Sequence, residues 1–426
     1  VAEEAAPLSL EAARDMILEA IEPLPAMEAT LVEALRRVTA ATVRSRLTLP
    51  PWDNSAMDGF AVRSADVASA SIERPVRLDV IGEAAAGHLP IAEVRAGTAV
   101  RVLTGGIMPG GADAVVPVED TDVPPGLADL PTSVTVSAPT SPGRHVRRTG
   151  SDMAAGAVVL EAGTTVTPAG LAALAAAGHG SVAVHARPRV AILSTGDELV
   201  PVGESPGPAS IPDSNGASLA AQALGLGADA IRLGIARDEL DDVRARLRAG
   251  VAGADVVIAS GGVSVGAHDL VKAALSEVGE LRLWRVAVQP GKPLAFGVAV
   301  APDGHRCVLF GLPGNPVSSF VTFELFVRPA IRRLGGHPDP DGREHVRAEL
   351  AEPITSPAGR RSFLRVRLEP VEVRRGRYRA RTAGGQGSHV LSALAAADGL
   401  AIVPEAVTSL PAGAEVEVIR LDVERC

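Results

Sequence analysis

The sequence predicts a multidomain α/β plus β protein. The expected parts are a parallel-sheet α/β domain, a discontinuous helical domain, an inserted small β domain and a C-terminal β domain of barrel-like character. Three observations predict it. Strand, loop and helix patterns alternate from Arg189 to about Leu334, as in a mostly parallel sheet covered by helices on both faces. Short β-branched runs between Gly and Pro turns fill the stretch from Leu47 to about Arg144, and period-two alternation returns after Pro340. The chain has 426 residues, more than one ordinary core holds.

The elements follow in order. Ser9 caps a helix that places Leu10, Ala13, Ile17 and Ile21 on one face and stops before Pro23. Thr30 and Glu33 have capping-box spacing and predict a second helix through Leu31, Leu35 and Val38. A third helix runs from Pro168 toward Gly178. These helical stretches, 1–46 and 146–186, are expected to form one domain interrupted by a β unit at 47–145. The α/β domain is expected at 187–334, with strands at Val190–Leu193, Ile231–Ile235, Asp255–Ala259 and Val308–Leu312. The alternating runs Phe363–Leu368 and Val416–Leu421 place the last β domain at 340–426.

Composition narrows the function. A net charge of −9 and a pI near 5.6 argue against nucleic-acid or anionic-membrane partners. Aromatics make up 2% of the residues, too few for base-stacking platforms. The two cysteines, Cys307 and Cys426, have neither zinc nor disulfide-framework spacing. With no apolar run of membrane-spanning length and no leader pattern, the expected location is cytoplasmic. Of 41 basic residues only Lys272 and Lys292 are lysine, so each lysine stands out.

Ligands of open α/β sheets bind beyond the carboxyl ends of the strands, so the loops at that edge matter most. The Ser260–Asp269 loop, SGGVSVGAHD, can bring backbone N–H groups close to an anion, and Asp269 could cap the next helix or hold magnesium. It reads equally as a capped, ligand-free turn. Ser194-Thr195-Gly196-Asp197-Glu198 and Asp238 could bind a metal, or simply open helices. Gln289-Pro290-Gly291-Lys292-Pro293 sets a lysine in a rigid turn suited to an oxyanion. Pro313-Gly314-Asn315-Pro316 is a stiff connector or a ligand-shaping loop. The turn Pro51–Arg63, PWDNSAMDGFAVR, packs unusual hydrogen-bonding capacity into a few residues. No HExxH or CxxC motif is present.

Taken together and in order, PWDNSAMDGFAVR, RVLTGG, VVPVED, RRTGSD, STGDEL, GGVSVGAHD, PGKP, LPGNPVS and QGSH resemble the molybdopterin molybdenumtransferases. That family includes the C-terminal domain of gephyrin. The resemblance runs from about residue 8 to the C-terminus. It implies an elongated homodimer of four-domain chains, whose α/β domain binds molybdopterin. It also implies a magnesium-dependent reaction that joins molybdate to the dithiolene of adenylylated molybdopterin and releases AMP. The site would lie between the α/β domain of one subunit and the inserted β domain of the other.

Residue by residue, the resemblance places Asn54, Ser55, Asp58 and Thr104 on the inserted-domain side. Glu198, Asp238 and Asp269 would hold magnesium or orient pterin and phosphate. Gly261, Gly262, Ser264 and Gly266 would cradle phosphate, and Lys292 would supply positive charge. Arg285, Pro313, Pro316 and Ser388 would contact or shape the pterin pocket. Many relatives carry lysine where Gln289 and Arg285 stand, which implies a less charged oxyanion pocket here. A molybdopterin adenylyltransferase is an expected partner. Two other readings are a nucleotide enzyme of the adenylyltransferase type and a dimeric binding scaffold. The inserted-domain motif weighs against the first, and the intact acidic set against the second.

Overall fold

Strand Arg189–Thr195 is buried at every position after the first, and Val256–Ser260 is buried throughout. Strands like these must be covered on both faces. Their side chains divide by parity. Val190, Ile192, Ile258 and Phe310 pack on one side with Leu219, Phe326 and Ile331. Ala191, Leu193, Val257 and Ala259 pack on the other with Val243, Leu247, Val271 and Leu275. The computed structural model describes residues 7–126, 129–262, 270–372 and 377–424.

The central sheet has six strands, in the order Asp229–Ala236, Arg189–Thr195, Val256–Ser260, Arg306–Leu312, Pro293–Val300 and Glu280–Arg285. The first four are parallel. The last two are antiparallel to their neighbours. The turn before Pro293 therefore sits beside the carboxyl ends of the parallel strands, and Lys292 joins the loops after Thr195, Ala236, Ser260 and Leu312.

A long helical run follows Asn315: Pro316–Thr322, a π segment Phe323–Val327, and Arg328–Leu334. The π turn carries a buried carboxylate, Glu324. It accepts from Arg343 Nε at 2.9 Å and Nη2 at 2.8 Å, and from Gln222 Nε2 at 2.8 Å. Arg343 opens the C-terminal sheet, so this buried pair ties that sheet to the helical run.

The C-terminal strands close on themselves. Arg361–Glu372 pairs with Arg377–Thr382 on one side and Gly399–Val403 on the other. Arg343–Leu350 and Glu415–Glu424 complete the five-stranded ring. The short strand Val288–Gln289 adds to Arg361–Glu372 in parallel, which brings the barrel against the strand-end edge of the α/β sheet.

Between the first helix and the α/β sheet, a five-stranded sheet runs Ala114–Pro117, Gly59–Val62, Thr98–Val102, Val76–Ala84, Ser133–Val136. The chain segments on either side of it pair together: Ala26–Thr30 with Ser181–His185, and Val43–Arg44 with Val158–Leu160. At the neck, Leu49 and Met153 exchange backbone hydrogen bonds of 2.7 and 3.1 Å.

Two expectations are corrected here. The helix from Thr30 does not form. Glu33 Oε2 does accept from Thr30 N at 3.1 Å and Thr30 Oγ1 at 2.7 Å. With its hydroxyl donating to Glu33, Thr30 does not cap, and Arg36 at φ 63° breaks any helical path. Val38 and Thr39 then bridge to Thr165 and Val184, so sheet pairing wins over the local capping pattern. The first helix, Leu10–Glu19, is capped by Ser9 as expected, but it buries Leu10, Ala13 and Ile17 in the α/β core instead of joining 146–186.

A candidate active site at the strand-end cleft

The carboxyl ends of the parallel strands open into a cleft of about 1570 Å³. Its floor depends on glycine. Gly261 has φ +100°, and a Cβ there would lie 2.7 Å from the Thr195 carbonyl oxygen. The Gly261 N–H donates to Leu312 O at 3.1 Å, so the loops after three neighbouring strands interlock. Gly196 has φ +145°, and a Cβ there would meet the Glu198 carboxylate at 2.5 Å. Only glycine leaves Glu198 room to fold back over its own loop.

Second contacts hold these loops in place. The Asp238 N–H donates to Asp197 Oδ1 at 3.1 Å, joining the first and second strand-end loops. Asp213 is buried and caps helix Ser214–Gly225 by accepting from Gly216 N at 2.8 Å. It also accepts from Ser194 Oγ at 2.8 Å and Arg232 Nη2 at 2.9 Å. Asn215, in the first turn of that helix, donates through Nδ2 to Ser260 Oγ at 2.8 Å and Gly314 O at 2.7 Å.

One wall is cationic. Lys292 and Arg360 both line the cleft. The Arg285 guanidinium, then desolvation, then Arg360 lower the Lys292 pKa from its ordinary value. Like charges held together in this way favour an anion. Gln289 also lines the cleft and carries no charge; its backbone pairs with Ser362, which brings Arg360 close. Gln386, Gly387, Ser388 and His389 of the barrel also line it.

Of the expected site residues, Glu198, Asp238, Gly261, Gly262, Lys292, Pro313, Pro316 and Ser388 come together around this cleft. Arg285 stands one strand away, paired with Pro293 and acting on Lys292 through its charge. Ser264, Gly266 and Asp269 lie outside the described residues. Asn54, Ser55, Asp58 and Thr104 do not line the cleft of their own chain. They form a separate constellation on the five-stranded unit. Asp58 Oδ1 accepts from Thr104 N at 2.6 Å and Thr104 Oγ1 at 2.7 Å. These two bonds, the backbone one first, hold the exposed Asp58 carboxyl below its ordinary pKa. Ser55 is fully buried, and its hydroxyl donates to Met57 O at 2.5 Å. Asn54 is buried with Oδ1 unpartnered, and Trp52, Met57 and Leu103 are exposed around it.

Sequence reasoning missed Asn215, Asp213 and Arg360. Asp213-Ser214-Asn215 read only as a helix start, and Arg360 was one arginine among many. Nothing in the local sequence says that barrel pairing brings Arg360 to the cleft.

A divalent ion can be tested against these donors. Among the described residues, no three His, Cys, Asp or Glu side chains group closely enough to hold a metal. Glu198 and Asp238 nevertheless share the cleft. Two carboxylates without a closed cage suit magnesium that arrives with substrate phosphate. The residues present therefore fit such an ion.

Three family models match successive parts of the chain. They are the MoeA N-terminal region (domain I and II) at 8–178, "Probable molybdopterin binding domain" at 191–333, and the MoeA C-terminal region (domain IV) at 347–421. Molybdopterin molybdenumtransferase 2 of Mycobacterium tuberculosis is 40% identical over 398 residues, covering 91% of this chain and 93% of that protein. The molybdopterin molybdenumtransferase of Haemophilus influenzae is 35% identical over 413 residues, covering 96% and 98%. A crystal structure of a molybdopterin biosynthesis MoeA protein from Pyrococcus horikoshii superposes with a TM-score of 0.80 at 33% identity. It covers 98% of this chain and all of that one.

Proposed function

The chain belongs to the molybdopterin molybdenumtransferase family, and from that premise we propose how its cleft carries out molybdenum insertion. It is a transferase of molybdenum cofactor biosynthesis. In our reading the substrates are molybdate and adenylylated molybdopterin, the step requires magnesium, and AMP leaves as the molybdenum is joined to the dithiolene. The observation that carries this reading is the pairing, in one cleft, of a cationic wall with two carboxylates and a glycine-lined floor.

Lys292 and Arg360 attract and hold the oxyanion. The tight Gly261–Gly262 turn lets backbone approach the phosphate of the adenylyl group. Glu198 and Asp238, with Asp269, would hold magnesium, which neutralises charge on that phosphate when bound. Pro313 and Pro316 stiffen the loop against which the pterin lies, and Asn215 keeps that loop registered with Ser260. Ser388 contributes a hydroxyl from the barrel. Arg285 reinforces the positive field from behind Lys292.

Asn54, Ser55, Asp58 and Thr104 lie apart from their own chain's cleft, so we assign them to the cleft of a second subunit. The Asp58 carboxylate, held charged by Thr104, faces the reacting groups there. Ser55 braces the turn from within, and the unpartnered Asn54 Oδ1 awaits a donor. This reading makes the enzyme a homodimer, supplied by an adenylyltransferase, in the cytoplasm.

The deciding experiment is AMP release from adenylylated molybdopterin, with magnesium, with and without molybdate. Molybdate-stimulated release that is lost in Asp238→Asn is the expected result. Release that is absent, or indifferent to molybdate, would move the assignment to a binding scaffold.

A further inference from the structure

The barrel wall of the cleft rests on a buried cation. Arg365, in strand Arg361–Glu372, is 1% exposed. Its Nη2 donates to Gly385 O and Gly387 O, both at 3.0 Å. Gln386 fixes the same loop from the other direction. Its Oε1 accepts from Arg365 N at 2.9 Å, and its Nε2 donates to Arg365 O at 3.1 Å. Arg365 Nε has no partner, and among the described residues no carboxylate pairs with this guanidinium. Burial alone lowers its pKa. A buried charge answered only by two carbonyls is unfavourable in isolation.

The loop geometry gives this charge a use. The peptide groups here are trans, so a carbonyl and the following N–H point opposite ways. With Gly385 O and Gly387 O turned onto Arg365, the N–H groups of Gln386 and Ser388 turn away from it. Neither N–H has an acceptor among the described residues, and both residues line the cleft. Free amides backed by an unneutralised cation form an anion-binding concavity.

We infer that Arg365 is a positioning residue for the oxyanion: it turns the Gln386 and Ser388 amides to the cleft and places a permanent positive charge behind them. This rests on the oxyanion reading of the cleft given above. It assigns the Gln386–Ser388 loop of the barrel a part in oxyanion binding beside the side-chain charges of Lys292 and Arg360.

The test is steady-state kinetics on the full chain, varying molybdate at saturating adenylylated pterin, for Arg365→Met and Arg365→Lys. Arg365→Met is expected to raise the molybdate KM about tenfold, with kcat and the pterin KM within about twofold. Arg365→Lys keeps the charge without the fork and falls between it and the parent. An unchanged molybdate KM, or a general loss in which every parameter falls together, overturns the inference. Calorimetry of the parent with molybdate alone separates the two levels: no binding removes the oxyanion reading itself, whereas binding that Arg365→Met retains removes only the part given to Arg365. Should the variants not fold, hydrogen exchange on the parent decides. Slowed exchange of the Gln386 and Ser388 amides on adding molybdate supports the inference, and unchanged exchange there overturns it.

Discussion

At the scale of single residues, the cleft is governed by what glycine permits and what charge requires. Glu198 occupies the space a side chain at 196 would fill. Gly196→Ala should therefore displace the carboxylate and lower turnover by about a hundredfold, the usual effect of a misplacement near 1 Å. Stopped-flow or steady-state AMP release, alongside a melting curve, checks it; full activity would mean that Glu198 is not needed where it stands. Gln289 adds no charge between Lys292 and Arg360. Gln289→Lys should tighten molybdate binding several-fold in calorimetry, and equal affinity would dispose of that idea. Much of this site was legible in the sequence. Glu198, Asp238, Gly261 and Lys292 each follow or precede a short apolar strand, so strand ends mark them. Arg360 and Arg365 were not legible, because only the closed pairing of the barrel brings Arg360 to the cleft and Arg365 beneath the Gly385–Gly387 loop.

Whole elements show where local pattern and long-range pairing disagree. The Ser9 cap produces its helix because Leu10, Ala13 and Ile17 have a core to enter. The Thr30–Glu33 pattern makes only the Glu33 half of the capping box and no helix, because the flanking residues have sheet partners. A capping signal is a local statement, and a strand partner more than 150 residues away, such as Ser181 for Thr30, cannot be read from it. The helical run after Asn315 raises a different point. Its π turn, one extra residue per turn, carries Glu324 into a buried pair with Arg343. Removing one partner of such a pair leaves the other charge buried and alone. Glu324→Gln should therefore cost about 3–5 kcal/mol, read as a lowered urea midpoint. A loss below about 1 kcal/mol would mean that the pair behaves as if exposed.

For the whole molecule, two predictions concern how the parts meet. His337 lies at the end of the long helical run, where burial and then Arg332 and Arg328 pull its pKa from 6.5 to about 4. In the window between these values the unfolded chain binds a proton that the folded chain refuses. Stability is therefore lost as pH falls through it, by roughly 3 kcal/mol in all. His337→Gln should flatten that slope in melts between pH 4 and 6.5. The second prediction concerns the proposed shared site. Asp58→Ala and Asp238→Ala, each inactive alone, should regain about a quarter of parent activity when unfolded and reassembled together, because half the dimers then carry one intact site. No recovery would place both residues in one chain's cleft. The neck at Leu49 and Met153 bears on more than assembly. A chain that leaves and re-enters at one hydrogen-bonded pair can have everything between replaced without moving the rest. The five-stranded unit is in that sense a cassette. Two splice points suffice to lengthen it, exchange it for another module or express it by itself, so this part of the molecule is the one most open to grafting, both for the engineer and over evolutionary time.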